Sequence, residues 1–411
     1  MPAIYLLDVT NRDGVQTAFL GLAKIEKTMI NFFLNNMGVF QSEFGFPTTR
    51  HETNYLNANL QLAEKGFLSP IRLSGWMRAI TKDVELAFQL VPQIRYLNLS
   101  ISTSQQMLQY KFHGKLDPNE IIRSATEATK AARNLGALGV GVNAEDASRT
   151  DLSFLIEFCL AAKEAGAERF RYCDTLGYDS PFTIYERIAE IAEKTQMPIE
   201  IHCHNDLGMA VANSVSGAKG AVDGGVDAYI NTTVNGVGER AGNADLVSII
   251  LAIQYSNGLE GNRYAINPPV NLKAAWKTSK YTSYAFKVPI PITQPGVGAN
   301  AFAHASGIHA DGVIKDRKNY ELYDFEELGR GEPELIETGR QIVIGEYSGI
   351  KGFRNVYENL EVEFQNEDEA REILELVRFA NVEKQKPLVA DELVFIAQHP
   401  KEARKILTLS P

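Results

Sequence analysis

Eight short runs rich in β-branched and aromatic residues punctuate the first 255 positions of the chain: AIYLLDVT, VFQSEFG, IRLSGW, YLNLSIS, GVGVNAED, RFRYCDT, IEIHCHND and AYINTTV. Each reads as a strand. Between them apolar residues recur at steps of three and four, the period of a helix that buries one face. The clearest case is Ile121, Ile122, Ala125, Ala128, Ala132 and Leu135. It is introduced by Asp117-Pro118-Asn119-Glu120, a capping aspartate before a proline at the first helical position, with acid in the first turn. Ser180-Pro181 opens a second helix in the same way. Eight strand–helix units predict an α/β fold and, given right-handed crossovers, a TIM (β/α)8 barrel. A doubly wound sheet is disfavoured because no GxGxxG follows the first strand.

The alternation stops after residue 258. NPPVN, KVPIPITQPGVGAN and GRGEPE are Pro/Gly-rich connectors. The expected organisation is a catalytic barrel over 1–258, a linker subdomain over 259–335 and a C-terminal helical subdomain over 336–411. The barrel is thus followed by a small C-terminal α/β or helical extension, with helices read at NEDEAREILELVRFA and DELVFIAQHPKEARKIL.

Composition narrows the function classes. No run of 18 apolar residues predicts a membrane span. The opening MPAIYLLDVT has no basic segment before its apolar residues, so no secretory signal is expected. Cys159, Cys173 and Cys203 show no paired spacing, which points to a reducing, cytoplasmic setting. A net charge of −10 argues against nucleic acid or anionic membrane as partners. Much of the acidity lies beyond residue 320 and reads as a solvated surface.

Chemistry in such a barrel belongs at the C-terminal strand ends, and several of the eight runs end in reactive side chains. The first leads into Arg12-Asp13-Gly14-Val15-Gln16, a charged pair that by itself reads first as a structural ion pair. The seventh ends in His202-Cys203-His204. Strand side chains alternate, so both imidazoles share one face while Cys203 points away. Two imidazoles and a carboxylate from another strand end suit a divalent metal, although HxH alone also fits two hydrogen-bonded polar residues. The eighth runs into NGVGERAGN, whose glycines permit a tight return over the mouth and whose Asn243 is either a site residue or a helix cap. The fifth ends in Asn143-Ala144-Glu145-Asp146, where Glu145 is a proton carrier or a partner for Arg149. Four of the seven histidines fall in two short windows, 202/204 and 304/309.

Taken together, RDGVQ, HCHND, NGVGERAGN, ED-x-x-R and SGIH resemble, in the same order and over nearly the whole chain, the barrel enzymes related to 2-isopropylmalate synthase, homocitrate synthase and Re-type citrate synthase. The resemblance implies an acyltransferase that joins acetyl-CoA to a 2-oxo acid by a metal-assisted Claisen condensation. It implies Asp13, His202 and His204 as ligands of Mn2+, Zn2+ or Mg2+, with Asn243 at or beside the metal. Arg12 matches the arginine that binds the oxo acid and its developing oxyanion, Gln16 a positioning residue, and Thr175 a carboxylate binder. Glu145, His309 and Tyr320 match the proton-transfer group. SGIH in this family enters the partner subunit's barrel, so a homodimer with shared active sites is implied.

Two positions depart from the common members. Gly141 stands where homocitrate synthases carry arginine, and Asn98 stands where histidine or aspartate is usual. Oxaloacetate, giving citrate, is therefore the expected substrate. Arg72, Ser74 and Arg78 are candidates for its second carboxylate, beside Asn98 and Asn143. The alternatives are 2-oxoglutarate or 2-oxoisovalerate as substrate, or a retro-aldol lyase of the same barrel group. Carboxyltransferase barrels commonly use a carbamylated lysine, and no lysine stands at these strand ends.

Overall fold

A computed structural model describes residues 1–259, 261–334 and 339–408. All eight expected strands form: β1 (Ile4–Asp8), β2 (Gln41–Gly45), β3 (Arg72–Arg78), β4 (Tyr96–Ser102), β5 (Gly139–Glu145), β6 (Arg169–Asp174), β7 (Ile199–Cys203) and β8 (Ala228–Thr232). They pair in parallel in chain order, and β8 returns to β1, so the barrel is closed. This is the (β/α)8 architecture the alternation predicts.

The register decides which side chains share the interior. Leu7 pairs with Gln41 and Gln41 with Arg72; Asn98 pairs with Gly141 and Gly141 with Arg169. Asn143 pairs with Arg171, Arg171 with Glu200, and Cys173 with His202. The alternate residues, among them Leu73, Leu97, Leu99, Val140, Val142, Phe170, Ile199, Ile201 and Ile230, are buried in the hydrophobic core against the surrounding helices. A barrel interior is usually layered with branched apolar residues. Here the apolar face is the outer one, and the interior is largely polar.

Local rules hold in the helices. Asp117 accepts from Glu120 N (2.9 Å) and Glu120 accepts from Asp117 N (2.9 Å), closing a capping box on Pro118–Asn134. Ile121, Ala125, Ala128 and Ala132 are buried on its inner face, but Leu135 falls past the helix end and is exposed. Ser180 caps Pro181–Thr195.

Beyond the last barrel helix, Leu246–Tyr255, the chain passes beside β1, with Ile4 N donating to Ala265 O and Asn267 N to Ile4 O. Helix Ala275–Phe286 then packs on Lys24–Met37 through the Phe33–Tyr281 ring pair, 4.8 Å between centroids. The terminal region is helical: Ile350–Asn359, Glu367–Lys384, Ala390–Gln398 and Pro400–Ile406. The single helix expected over DELVFIAQHPKEARKIL is broken at His399, because a residue preceding proline is driven out of the helical region. The boundary expected between 335 and 336 lies outside the described residues. Buried charge ties the terminal region together and to the barrel: Lys386 Nζ lies 2.6 Å from Glu26 Oε1 on the first barrel helix, Lys384 joins two terminal helices by pairing with Glu392, and Tyr281 OH donates to Glu392 (2.7 Å). Among the described residues no helix is long and apolar enough to cross a membrane.

Asp8 illustrates what this packing does to a carboxyl group. It ends β1 on the outer face with no solvent exposure; one oxygen accepts from Thr10 N (2.8 Å) and the other has no partner. Burial pushes its pKa up to about 7, against opposing hydrogen bonds from Thr10. A folded-state value above the unfolded one gives stability that is present at acid pH and is lost as pH rises from the unfolded value toward 7, on the order of 4 kcal/mol in all. Asp8→Asn should therefore fold with a Tm that falls less between pH 5 and 8 than the wild type's. Parallel Tm–pH curves would refute this reading.

Candidate active site at the barrel mouth

The chain leaves β1 in a tight turn: the N–H groups of Arg12, Asp13 and Gly14 all bond to Val9 O at 3.0, 2.8 and 3.2 Å. This folds Asp13 back over the mouth. Its Oδ2 stands 3.2 Å from His202 Nε2 and 3.5 Å from His204 Nε2. The two Nε2 atoms are 3.2 Å apart, with the rings at 89°. Cys203, between them, faces outward into the core. Asn243 is brought in by a bridge to His204 and donates from Nδ2 to Asp13 Oδ2 at 2.8 Å, while its buried Oδ1 has no partner. The glycines of NGVGERAGN are required here: a Cβ on Gly238 would lie 1.8 Å from Asn243 Oδ1.

Asp13, His202 and His204 form the one group found among the described residues that could hold a metal ion. The donor set fits one. Ligand bonds of about 2.0–2.2 Å place neighbouring ligand atoms roughly 2.8–3.1 Å apart in an octahedron and roughly 3.3–3.6 Å apart in a tetrahedron, and the observed separations of 3.2, 3.2 and 3.5 Å lie within the span of the two. Charge states fit as well. Burial opposes ionisation of Asp13, but Arg12 and the imidazoles outweigh it and hold the carboxyl well below its usual range. Burial lowers the pKa of His202, and burial with its neighbour His202 takes His204 to about 3. Both imidazoles are thus neutral at ordinary pH, with lone pairs available.

Beneath the triad lies a ladder of buried charge that the sequence reading missed. Arg12 Nε donates to Glu43 Oε2 (2.6 Å), and Arg171 Nη2 donates to Glu43 Oε1 (2.7 Å) from across the barrel. Arg171 Nε also donates to Glu200 Oε1 (2.6 Å), and Arg169 Nε to Glu200 Oε2 (2.5 Å). Asn98 and Asn231 complete the two carboxylates, at 2.5 Å to Glu43 and 2.7 Å to Glu200. Burial works against the Glu43 carboxylate, yet Arg171 and Arg12 hold its pKa down at about 2. The available signal was charge at every second position inside the strands, Arg169/Arg171 and Glu200/His202, rather than at the strand ends.

The other expected residues divide. Asn143 is fully buried, and neither amide atom has a partner. Asn98 Oδ1 fills the space over Gly141, where a Cβ would come within 2.2 Å of it. Thr175 Oγ1 accepts from Asp146 N (2.9 Å), and Gln16 is exposed in the turn after Asp13. Glu145 pairs with Lys111 and Ser102; Arg149 is taken by Asp146 instead. The carboxylate candidates on β3 are not assembled at the mouth. Arg72 begins the strand at the opposite end of the barrel, over the Phe40 and Tyr96 rings. Ser74 is bonded by Gln41 (2.9 Å), and Arg78 turns to Asp83 at 2.8 and 2.9 Å. His309 and Tyr320 stack on each other, 4.1 Å between centroids, on an exposed segment around helix Gly307–Lys315. Among the described residues, no hydrogen bond or ring contact links either to the barrel of the same chain.

Residues 3–281 match the HMGL-like family model, and 297–385 match the homocitrate synthase post-HMGL domain-like model. The chain is 62% identical to a citrate (Re)-synthase of Dehalococcoides mccartyi (strain CBDB1), covering 100% of this chain and 99% of that protein. It is 37% identical to 2-isopropylmalate synthase 2 of Caldanaerobacter subterraneus subsp. tengcongensis, over 96% of this chain and 94% of the relative. The HMG-CoA lyase of Brucella melitensis shares the barrel fold at 15% identity and a TM-score of 0.56, over 70% of this chain and all of its own. The chain belongs to the HMGL-like family, in its branch of condensing synthases that carry a homocitrate-synthase-type domain after the barrel.

Proposed function

We propose that this enzyme condenses acetyl-CoA with oxaloacetate to give citrate and free CoA. The observation that carries the reaction class is the convergence of Asp13, His202 and His204 on one point beside a fixed Arg12. The likeness to a citrate (Re)-synthase supports the choice of oxo acid, as does the closed space over Gly141.

A divalent ion (Mn2+, Zn2+ or Mg2+) held by Asp13, His202 and His204, with Asn243 alongside, would supply Lewis-acid polarisation of the substrate's keto group. The protein supplies the rest. Glu43 holds Arg12 by Nε and leaves Nη1 on the Asp13 side, 3.4 Å from Oδ1, placed to stabilise charge that develops on the keto oxygen. The unpartnered amide of Asn143, with Thr175, receives carboxylate oxygens, and Gln16 flanks the entrance. Glu145, with His309 and Tyr320 of a second subunit, takes up the proton lost by the acetyl methyl group. The methyl carbon then bonds to the keto carbon as the carbonyl π pair moves onto its oxygen, which takes a proton to become the hydroxyl, and water cleaves the thioester to release CoA. Stacked and solvent-facing in one chain, with Ile308, Ile314 and Leu322 exposed around them, His309 and Tyr320 suit donation to a partner's mouth in a homodimer. Homocitrate or 2-isopropylmalate formation is the second reading, favoured by the post-barrel domain match and by the 37% relative respectively.

Thiol release from acetyl-CoA, measured with oxaloacetate, 2-oxoglutarate, 2-oxoisovalerate and pyruvate, should favour oxaloacetate over 2-oxoglutarate at least about tenfold in kcat/KM, or ~1.4 kcal/mol. Chelation should abolish the activity and a divalent metal restore it. His204→Ala should stay folded and bind no metal by direct metal analysis. Preference for another acid overturns the substrate, and full activity without metal overturns the site.

Subunit sharing has its own test. Inactive His309→Ala and inactive Arg12→Ala proteins, mixed so that subunits exchange, should recover partial activity, because each hybrid dimer carries one intact site. Exchange demonstrated without recovery rules out donation in trans.

A further inference from the structure

We infer that Lys111 is a positioning residue for the reaction, fixing Glu145 as an oriented carboxylate at the mouth. The inference rests on the proton-transfer role proposed for Glu145. Lys111 follows the short helix Gln105–Tyr110 in the segment after β4. Its Nζ lies 2.7 Å from both Glu145 oxygens and 3.0 Å from Ser102 Oγ, which itself donates to Glu145 Oε2 at 2.5 Å. Among the described residues it is the one cation paired with Glu145.

The segment carrying Lys111 is tied to the residues it acts on. Thr103 N and Oγ1 donate to Glu145 O at 3.0 and 3.1 Å, and Ser104 bonds the Asp146 carboxylate. Asp146 is fully buried and left-handed, at φ 66°, and Arg149 and Thr175 hold it there. A non-glycine residue in that region persists only where its surroundings impose it. The effect is to turn the chain sharply after Glu145 and leave its side chain at the mouth, gripped by Lys111 and Ser102.

Stability does not explain this grip. Lys111 is about half exposed, and exposed ion pairs contribute roughly 0–1 kcal/mol. Geometry does. Three contacts to one carboxylate fix its plane and the direction of both oxygens, and misplacing a reacting group by about 1 Å costs on the order of 100-fold in rate.

The test is kinetic, with wild-type enzyme, Lys111→Met and Lys111→Arg, using whichever oxo acid the wild type prefers. Lys111→Met should lower kcat about 10- to 100-fold with the oxo-acid KM little changed, as expected for a group felt in the transition state. The isotope effect on kcat with methyl-deuterated acetyl-CoA should rise, because proton removal becomes slower. Lys111→Arg, which keeps the charge, should recover most of the rate and lower the isotope effect again. The inference is overturned if Lys111→Met keeps its kcat, if arginine is no better than methionine, or if kcat falls with the isotope effect unmoved. The proposed reaction fails separately, through a wild type that releases no thiol with oxaloacetate.

Discussion

Arg171 stands between Glu43 and Glu200 in the dry interior of the barrel, bonded to both and almost without solvent contact. Moving a charge out of water costs several kcal/mol unless partners and hydrogen bonds replace the water. Glu43 and Glu200 meet that condition only as a set, each taking two guanidinium groups and an amide. Removal of one member would leave its neighbours short of a partner in a dry interior, so each rung depends on the others. Arg12 is its top rung, and through Arg12 the Asp13 end of the candidate metal triad is tied to residues deep in β2, β6 and β7.

This arrangement moves the source of stability. With the interior given over to charge, burial of apolar area falls to the outer face of the strands, where Val140, Val142, Phe170 and Ile199 meet the helices. That division explains what was legible in the sequence. Strands and helix starts could be read because each obeys a local rule: Asp117 caps because its oxygen reaches Glu120 N, and Cys203 turns away because strand side chains alternate. The shared face of His202 and His204 was legible for the same reason, whereas Asp13 joined them only through the resemblance. Glu43, Arg169, Arg171 and Glu200 were not legible, because their roles arise from contacts between strands, between residues 29 to 128 positions apart. Arg72 fails in the opposite sense: its strand was read correctly, but the strand's direction puts its first residue at the far end from the chemistry.

Charge around the triad bears on the oxo acid. Arg12, Arg169 and Arg171 contribute three positive charges, and Asp13, Glu43 and Glu200 three negative ones, with both imidazoles neutral, so the walls sum to zero. Glu145 is balanced separately by Lys111. A divalent ion at the triad would bring the site to +2, matching a substrate with two carboxylates. A monocarboxylate with an apolar tail would leave one positive charge unmatched in a medium of low polarity, where such an excess is costly. Length then separates the dicarboxylates. The amide of Asn98 occupies the space over Gly141 and is bonded beneath to Glu43, so the floor cannot sink to admit another methylene without unseating the ladder. The shorter diacid needs no such movement, and two residues beyond Gly141 on the same strand Asn143 holds an amide without a partner.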